Sequence, residues 1–174
     1  LISKIFFKNK SRDKFFRFLY KTLSLFYLFI LAYLIIVVKT DEPTFEIFLI
    51  YPIFISIMSD IGGFIIGKTF KGKKLTKISP KKTISGAIGS LFFSLLLIPI
   101  FLGYFNNYQP MKLFVITLII SIISQLGDLF ISYLKRSAKV KNTSDLLPGH
   151  GGILDRIDGI IFTIPFGLLM LVYF

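Results

Sequence analysis

Five stretches of this chain are each long and apolar enough to cross a bilayer, at about Phe15–Val38, Thr44–Gly67, Thr83–Phe105, Lys112–Leu134 and Gly152–Phe174. A membrane-spanning helix needs roughly 20 mostly apolar residues. Lipid offers no hydrogen bonds, so the backbone of each stretch must satisfy its own polar groups, which a helix does. The pattern predicts an all-α, polytopic integral membrane protein of about five transmembrane helices in one membrane-embedded domain, residues 1–174. A composition that is 54% hydrophobic agrees, being too apolar for an ordinary soluble domain. The second, third and fifth stretches are interrupted by Gly, Pro or Asp, tolerable only where neighbouring helices or a water-filled cavity meet the exposed groups.

The connections sort by charge. Basic residues crowd the N-terminal arm (Lys4, Lys8, Lys10, Arg12, Lys14, Arg17, Lys21), the second connection (Lys68, Lys71, Lys73, Lys74, Lys77, Lys81, Lys82) and the fourth (Lys135, Arg136, Lys139, Lys141), while Lys39–Pro43 and Asn106–Met111 are nearly free of them. This alternation fits the positive-inside rule at every turn. It puts the N-terminus, the 68–82 loop and the 135–151 loop on the cytoplasmic side of the cell (inner) membrane. Residues 1–14 mix Lys and Arg with Phe6 and Phe7 and read as an interfacial arm on anionic lipid.

Composition also excludes chemistry. There is no cysteine and a single histidine, which rules out disulfides, thiolate catalysis and Cys-ligated metal. A metal here would be held by oxygen, which favours Mg²⁺. The net charge of +12 in so apolar a chain points to headgroups or a phosphate-bearing ligand and not to nucleic acid.

Four of the nine acidic residues fall where lipid should be: Asp60 in the second stretch, Asp128 in the fourth, and Asp155 and Asp158 at the start of the fifth. A carboxylate in the bilayer costs about 2.5–3.5 kcal/mol on insertion scales, so it is usually paired, cavity-facing and functional. Asp60 is eight residues before Lys68 and Asp128 seven before Lys135, which places both roughly 10–12 Å in from their basic loops. Asp155 and Asp158 follow the third basic segment and share a helix face by their i, i+3 spacing. Neutralising a nearby Lys or Arg accounts for any one of these acids more easily than for all four. Together they read as a cation-binding cluster near the cytoplasmic surface.

Cationic and flexible segments lie close by. SPKKTISG, Ser79–Gly86, sets Lys81, Lys82, Thr83 and Ser85 at a helix start, where free N–H groups and lysines favour anions. By itself this is also an ordinary topology signal. GHGG, Gly149–Gly152, allows close backbone approach to a ligand or simply a loose loop. The concentration of Lys135, Arg136, His150, Asp155, Arg156 and Asp158 between Ser132 and Asp158 favours a site.

The run SYLKRSAKVKNTSDLLPGHGGILDRID, Ser132–Asp158, resembles the signature of the phosphatidate cytidylyltransferases, or CDP-diacylglycerol synthases. The match falls on Ser132, Lys135, Arg136, Lys141, Pro148, His150, Gly151, Gly152, Asp155, Arg156 and Asp158. Ser59–Asp60, Ser79–Thr83 and Gly127–Asp128 resemble that family's other elements. Two positions depart from the pattern, with Asn142 in place of an Asp and Ser85 in place of a Glu. The chain begins at Leu1 without Met, and we expect a trimmed product lacking upstream helices of longer family members.

The resemblance implies transfer of a cytidylyl group from CTP to phosphatidate, giving CDP-diacylglycerol and pyrophosphate in phospholipid biosynthesis. The implied catalytic residues are Asp128, Lys135, Asp155, Arg156 and Asp158, with Asp128, Asp155 and Asp158 as metal ligands. Substrate would be held by Asp60, Lys81, Lys82, Thr83, Ser132, Arg136, His150, Gly151 and Gly152. The expected cofactor is one or two Mg²⁺ ions, with room for a second, monovalent cation. The expected partners are CTP, phosphatidate and the bilayer, with no nucleic acid and with a homodimer as the candidate assembly. Two other readings compete: a related CTP-dependent membrane lipid kinase, and an ion-coupled transporter or cation channel. A conduction path should place polar groups through the whole bilayer, whereas here they gather on one side.

Overall fold

A computed structural model describes residues 12–41, 45–76, 79–105, 108–137 and 158–174. The helices are α1 (Arg12–Asp41), α2 (Phe45–Phe70), α3 (Ile84–Leu95), α4 (Ile98–Phe101), α5 (Pro110–Ser137) and α6 (Asp158–Tyr173), with a 3₁₀ turn at Leu102–Tyr104 after α4. Among the described residues there is no strand, only an isolated bridge between Lys74 and Thr83. The all-α expectation holds, and each of the five apolar stretches carries helix.

Phe45–Phe70, Ile84–Tyr104 and Pro110–Ser137 are long and apolar enough to span a membrane, while Leu25–Val37 and Asp158–Tyr173 are shorter apolar helical segments. Large apolar side chains face outward: Phe64, Ile88, Phe92, Leu126 and Phe130 are all exposed. So much outward apolar surface is stable only against lipid or another apolar surface. The chain is a multi-pass membrane protein.

The third stretch is not one helix, as the sequence had suggested. It breaks at Leu96–Leu97 between α3 and α4. Pro99 has no N–H to offer the carbonyl of Leu95, four residues earlier, where α3 ends. Leu97 N–H bonds instead to Ser94 O at 3.2 Å, and Phe101 N–H to Leu97 O at 3.0 Å.

Packing divides the interior into two ends. At the end near Phe45 and Phe105, Phe48, Tyr51, Phe101, Phe105, Leu113, Ile116, Leu168 and Leu171 form an apolar core, and the Tyr51 and Phe101 rings lie 4.9 Å apart. Toward the basic loops the contacts turn small and polar. Ser56 and Ser124 pair at 2.8 Å, Ser94 and Ser121 at 2.9 Å. Hydrophobic driving force between helices is absent in lipid, so close packing and such interhelical hydrogen bonds hold the bundle.

Glycines set the α2–α3 distance. A Cβ on Gly86 would lie 2.8 Å from Gly63 O, closer than real atoms approach. Only hydrogen at this position lets the two helices meet near the site.

Candidate functional site

The second basic loop folds back onto the start of α3. Leu75 N–H bonds to Lys82 O at 2.8 Å and Ile84 N–H to Lys73 O at 3.0 Å. Ser85 Oγ donates to Lys71 O, where Lys71 and Gly72 both have left-handed backbone (φ 51° and 116°). Ser85, one of the two departures from the family pattern, thus latches the loop.

Thr83 is the N-cap of α3, its hydroxyl accepting the Gly86 N–H at 3.1 Å. This corrects the expectation of an open helix start: the N–H groups of Ile84 and Gly86 are spent inside the chain. Thr83 acts here by shaping the turn that carries the lysines.

That turn presents Lys82 to α5. Lys82 Nζ forms an ion pair with Asp128 Oδ2. Ser132 Oγ, one turn on along α5, lies 3.4 Å from Asp128 Oδ1, and Asp60 of α2 is in electrostatic range of both Asp128 and Lys82. A second pair joins Lys135 of α5 to Asp158 of α6 at 3.7 Å. Asp158 is buried, takes the Gly159 N–H on Oδ1 at 3.1 Å and contacts the Asp128 side chain. Three of the four acids picked out in the sequence therefore meet around Asp128, carried by α2, α5 and α6.

Beside them a cleft of about 320 Å³ opens between α2, α3 and α5. Its charged part is formed by Asp60, Lys81, Lys82 and Asp128, and its neutral part by Ser59, Ser90 and Gln125. Arg136 stands exposed on the last turn of α5. Asp155, Arg156, His150, Gly151, Gly152, Lys141 and Asn142 lie outside the described residues, as does the arm to Ser11.

Gln125 and Ser90 were not singled out from the sequence, and Ser59 entered only through its resemblance to a family element. Neutral polar residues are common in membrane helices as packing partners, and only the fold brings these three to one wall.

The family model for the cytidylyltransferases matches residues 1–174. The chain belongs to the cytidylyltransferase family. It is 43% identical to the phosphatidate cytidylyltransferase of Rickettsia typhi over 76% of this chain and 61% of the relative. It is 41% identical to that of Staphylococcus aureus (strain COL) over 72% of this chain and 49% of the relative. The chain thus spans about half to three-fifths of the length of these curated relatives.

No three acidic or histidine side chains among the described residues are close enough to enclose an ion. Mg²⁺ does not need such a cage, because it keeps several waters and binds through one or two carboxylates plus substrate phosphates. The touching carboxylates of Asp128 and Asp158 supply hard oxygen donors of that kind. The residues present fit the ion.

Proposed function

We propose that this chain transfers the cytidylyl group of CTP to the phosphate of phosphatidate, forming CDP-diacylglycerol and releasing pyrophosphate at the cytoplasmic face of the cell (inner) membrane. The observation that carries this reading is the meeting of Lys82, Asp128, Asp60, Lys135 and Asp158 where an apolar bundle opens toward its basic loops. Family membership and relatives named phosphatidate cytidylyltransferase support it.

In the reaction an oxygen of the lipid phosphate attacks the α-phosphorus of CTP, a new P–O bond forms, and the bond to pyrophosphate breaks. Phosphates supply both nucleophile and leaving group, so positioning and charge neutralisation carry the catalysis. Asp128 and Asp158, with Asp155, would hold Mg²⁺, which when bound neutralises phosphate oxygens. Lys82 balances Asp128 in the free protein and turns to the incoming triphosphate. Lys81 joins it at the cleft mouth. Lys135 pairs with the buried Asp158 and holds it in place, Ser132 orients Asp128, and Arg156 and Arg136 add bidentate phosphate contacts. Asp60 holds the Lys82 ammonium in the cleft. His150, Gly151 and Gly152 would contribute to substrate binding.

CTP labelled on either the α- or the γ-phosphate decides between this reaction and a lipid kinase. Transfer of the α-label to lipid, with the γ-label leaving in pyrophosphate, is expected. Transfer of the γ-label would overturn the assignment.

A further inference from the structure

Ser59 is 1% exposed, and its hydroxyl has no hydrogen-bond partner among the described residues. Buried polar groups are nearly always satisfied, so this one calls for an explanation. It lines the cleft with Ser90 and Gln125. Ser90 is seven residues into α3 from Thr83, roughly 10 Å further from the basic loop.

Ser90 has a fixed polarity. Its hydroxyl donates to Ser59 O at 2.6 Å, so its single proton is committed and only lone pairs remain for the cleft. Ser59, beside it, keeps a proton to give. The pair therefore offers an obligate acceptor, Ser90, next to an uncommitted hydroxyl, Ser59, that can give a proton or accept one.

We infer that Ser59 and Ser90 read the nucleobase of the nucleotide, selecting an amino-pyrimidine over an oxo-pyrimidine. This rests on the proposed use of CTP and names the part of the cleft that chooses the base. Cytosine presents a donor, its exocyclic amine, next to an acceptor, N3. That pair is complementary to Ser90 and Ser59 in turn. Uracil presents an acceptor, O4, next to a donor, N3–H, and would set lone pair against lone pair at Ser90. The Gln125 carboxamide can rotate to match either edge, so it adds affinity without choosing. Rejection by an unpaired buried polar group is stronger than rejection by shape alone.

The test is equilibrium binding of CTP and of UTP to the purified 174-residue chain in lipid nanodiscs, in wild type, Ser59→Ala and Ser90→Ala. Wild type should prefer CTP, Ser90→Ala should lower the CTP:UTP affinity ratio by about tenfold, the loss of one hydrogen bond's selectivity, and Ser59→Ala should weaken the binding of both nucleotides. Ser59→Ala removes a hydroxyl that holds nothing in the protein, so its thermal stability should not fall. That separates a ligand role from a packing role. Equal binding of CTP and UTP by wild type, an unchanged ratio in folded Ser90→Ala, or unchanged nucleotide binding in folded Ser59→Ala overturns the inference. CTP preference without conversion of phosphatidate would instead sink the proposed reaction and leave the base selectivity standing.

Discussion

Lys82, at the foot of α3, and Asp128, deep on α5, form an ion pair across the cleft. One is the last residue before the cap of a helix, and the other stands one turn before Ser132 on a helix long enough to span the membrane. Their side chains are each about one-quarter exposed (29% and 22%), so the pair is reachable by a ligand yet partly shielded from water. Removing either partner leaves an uncompensated charge, which is costly where water is limited.

Lys82→Ala should therefore lower kcat/KM for CTP by about 100-fold, the scale of losing one transition-state charge contact. Steady-state kinetics with varied CTP measures it. A change under threefold would mean that Lys82 serves only to neutralise Asp128.

Gly86→Val should destabilise the fold by about 1–3 kcal/mol, the usual range for overpacking. The backbone carbonyl of Gly63 cannot retreat from the new Cβ without moving α2. Thermal unfolding in detergent would show the lowered midpoint, and activity should fall with it because Asp60 sits on α2 and Lys82 on the turn leading into α3.

The charged half of the site was legible in the sequence because a carboxylate in lipid is expensive wherever it occurs, which made Asp60, Asp128 and Asp158 conspicuous. The spans themselves were legible from length and hydropathy. What the sequence hid was non-local: Thr83 spending its hydroxyl on Gly86, Lys73 capping Ile84, and the loop closing through Ser85. Also hidden was the break at Leu96–Leu97, which follows from the hydrogen bond that Pro99 cannot give Leu95. Ser59 and Ser90 look like any packing serines until the fold shows that one proton is committed and one is not.

Thr83→Ala should cost about 1 kcal/mol by loss of the N-cap. It should also raise KM for CTP more than it lowers kcat, since the turn that aims Lys82 is loosened while Asp128 is untouched. Equal stability of mutant and wild type in chemical unfolding would argue against the capping role.

The Ser56–Ser124 hydrogen bond joins α2 to α5 beneath the site. A double-mutant cycle with Ser56→Ala and Ser124→Ala should return a coupling of about 0.6 kcal/mol, the average for interhelical hydrogen bonds in membranes. Zero coupling would mean that steric fit alone sets this contact.

In the proposed reaction the acids around Asp128 drive cytidylyl transfer to lipid. Its most direct measurement is the rate of CDP-diacylglycerol formation from CTP and phosphatidate by purified wild-type and Asp128→Asn protein, each with Mg²⁺ and with chelator. Wild type should convert phosphatidate only with Mg²⁺, and Asp128→Asn should be slower by at least about 100-fold. Equal rates for the two proteins, or full wild-type activity in chelator, would contradict the claim.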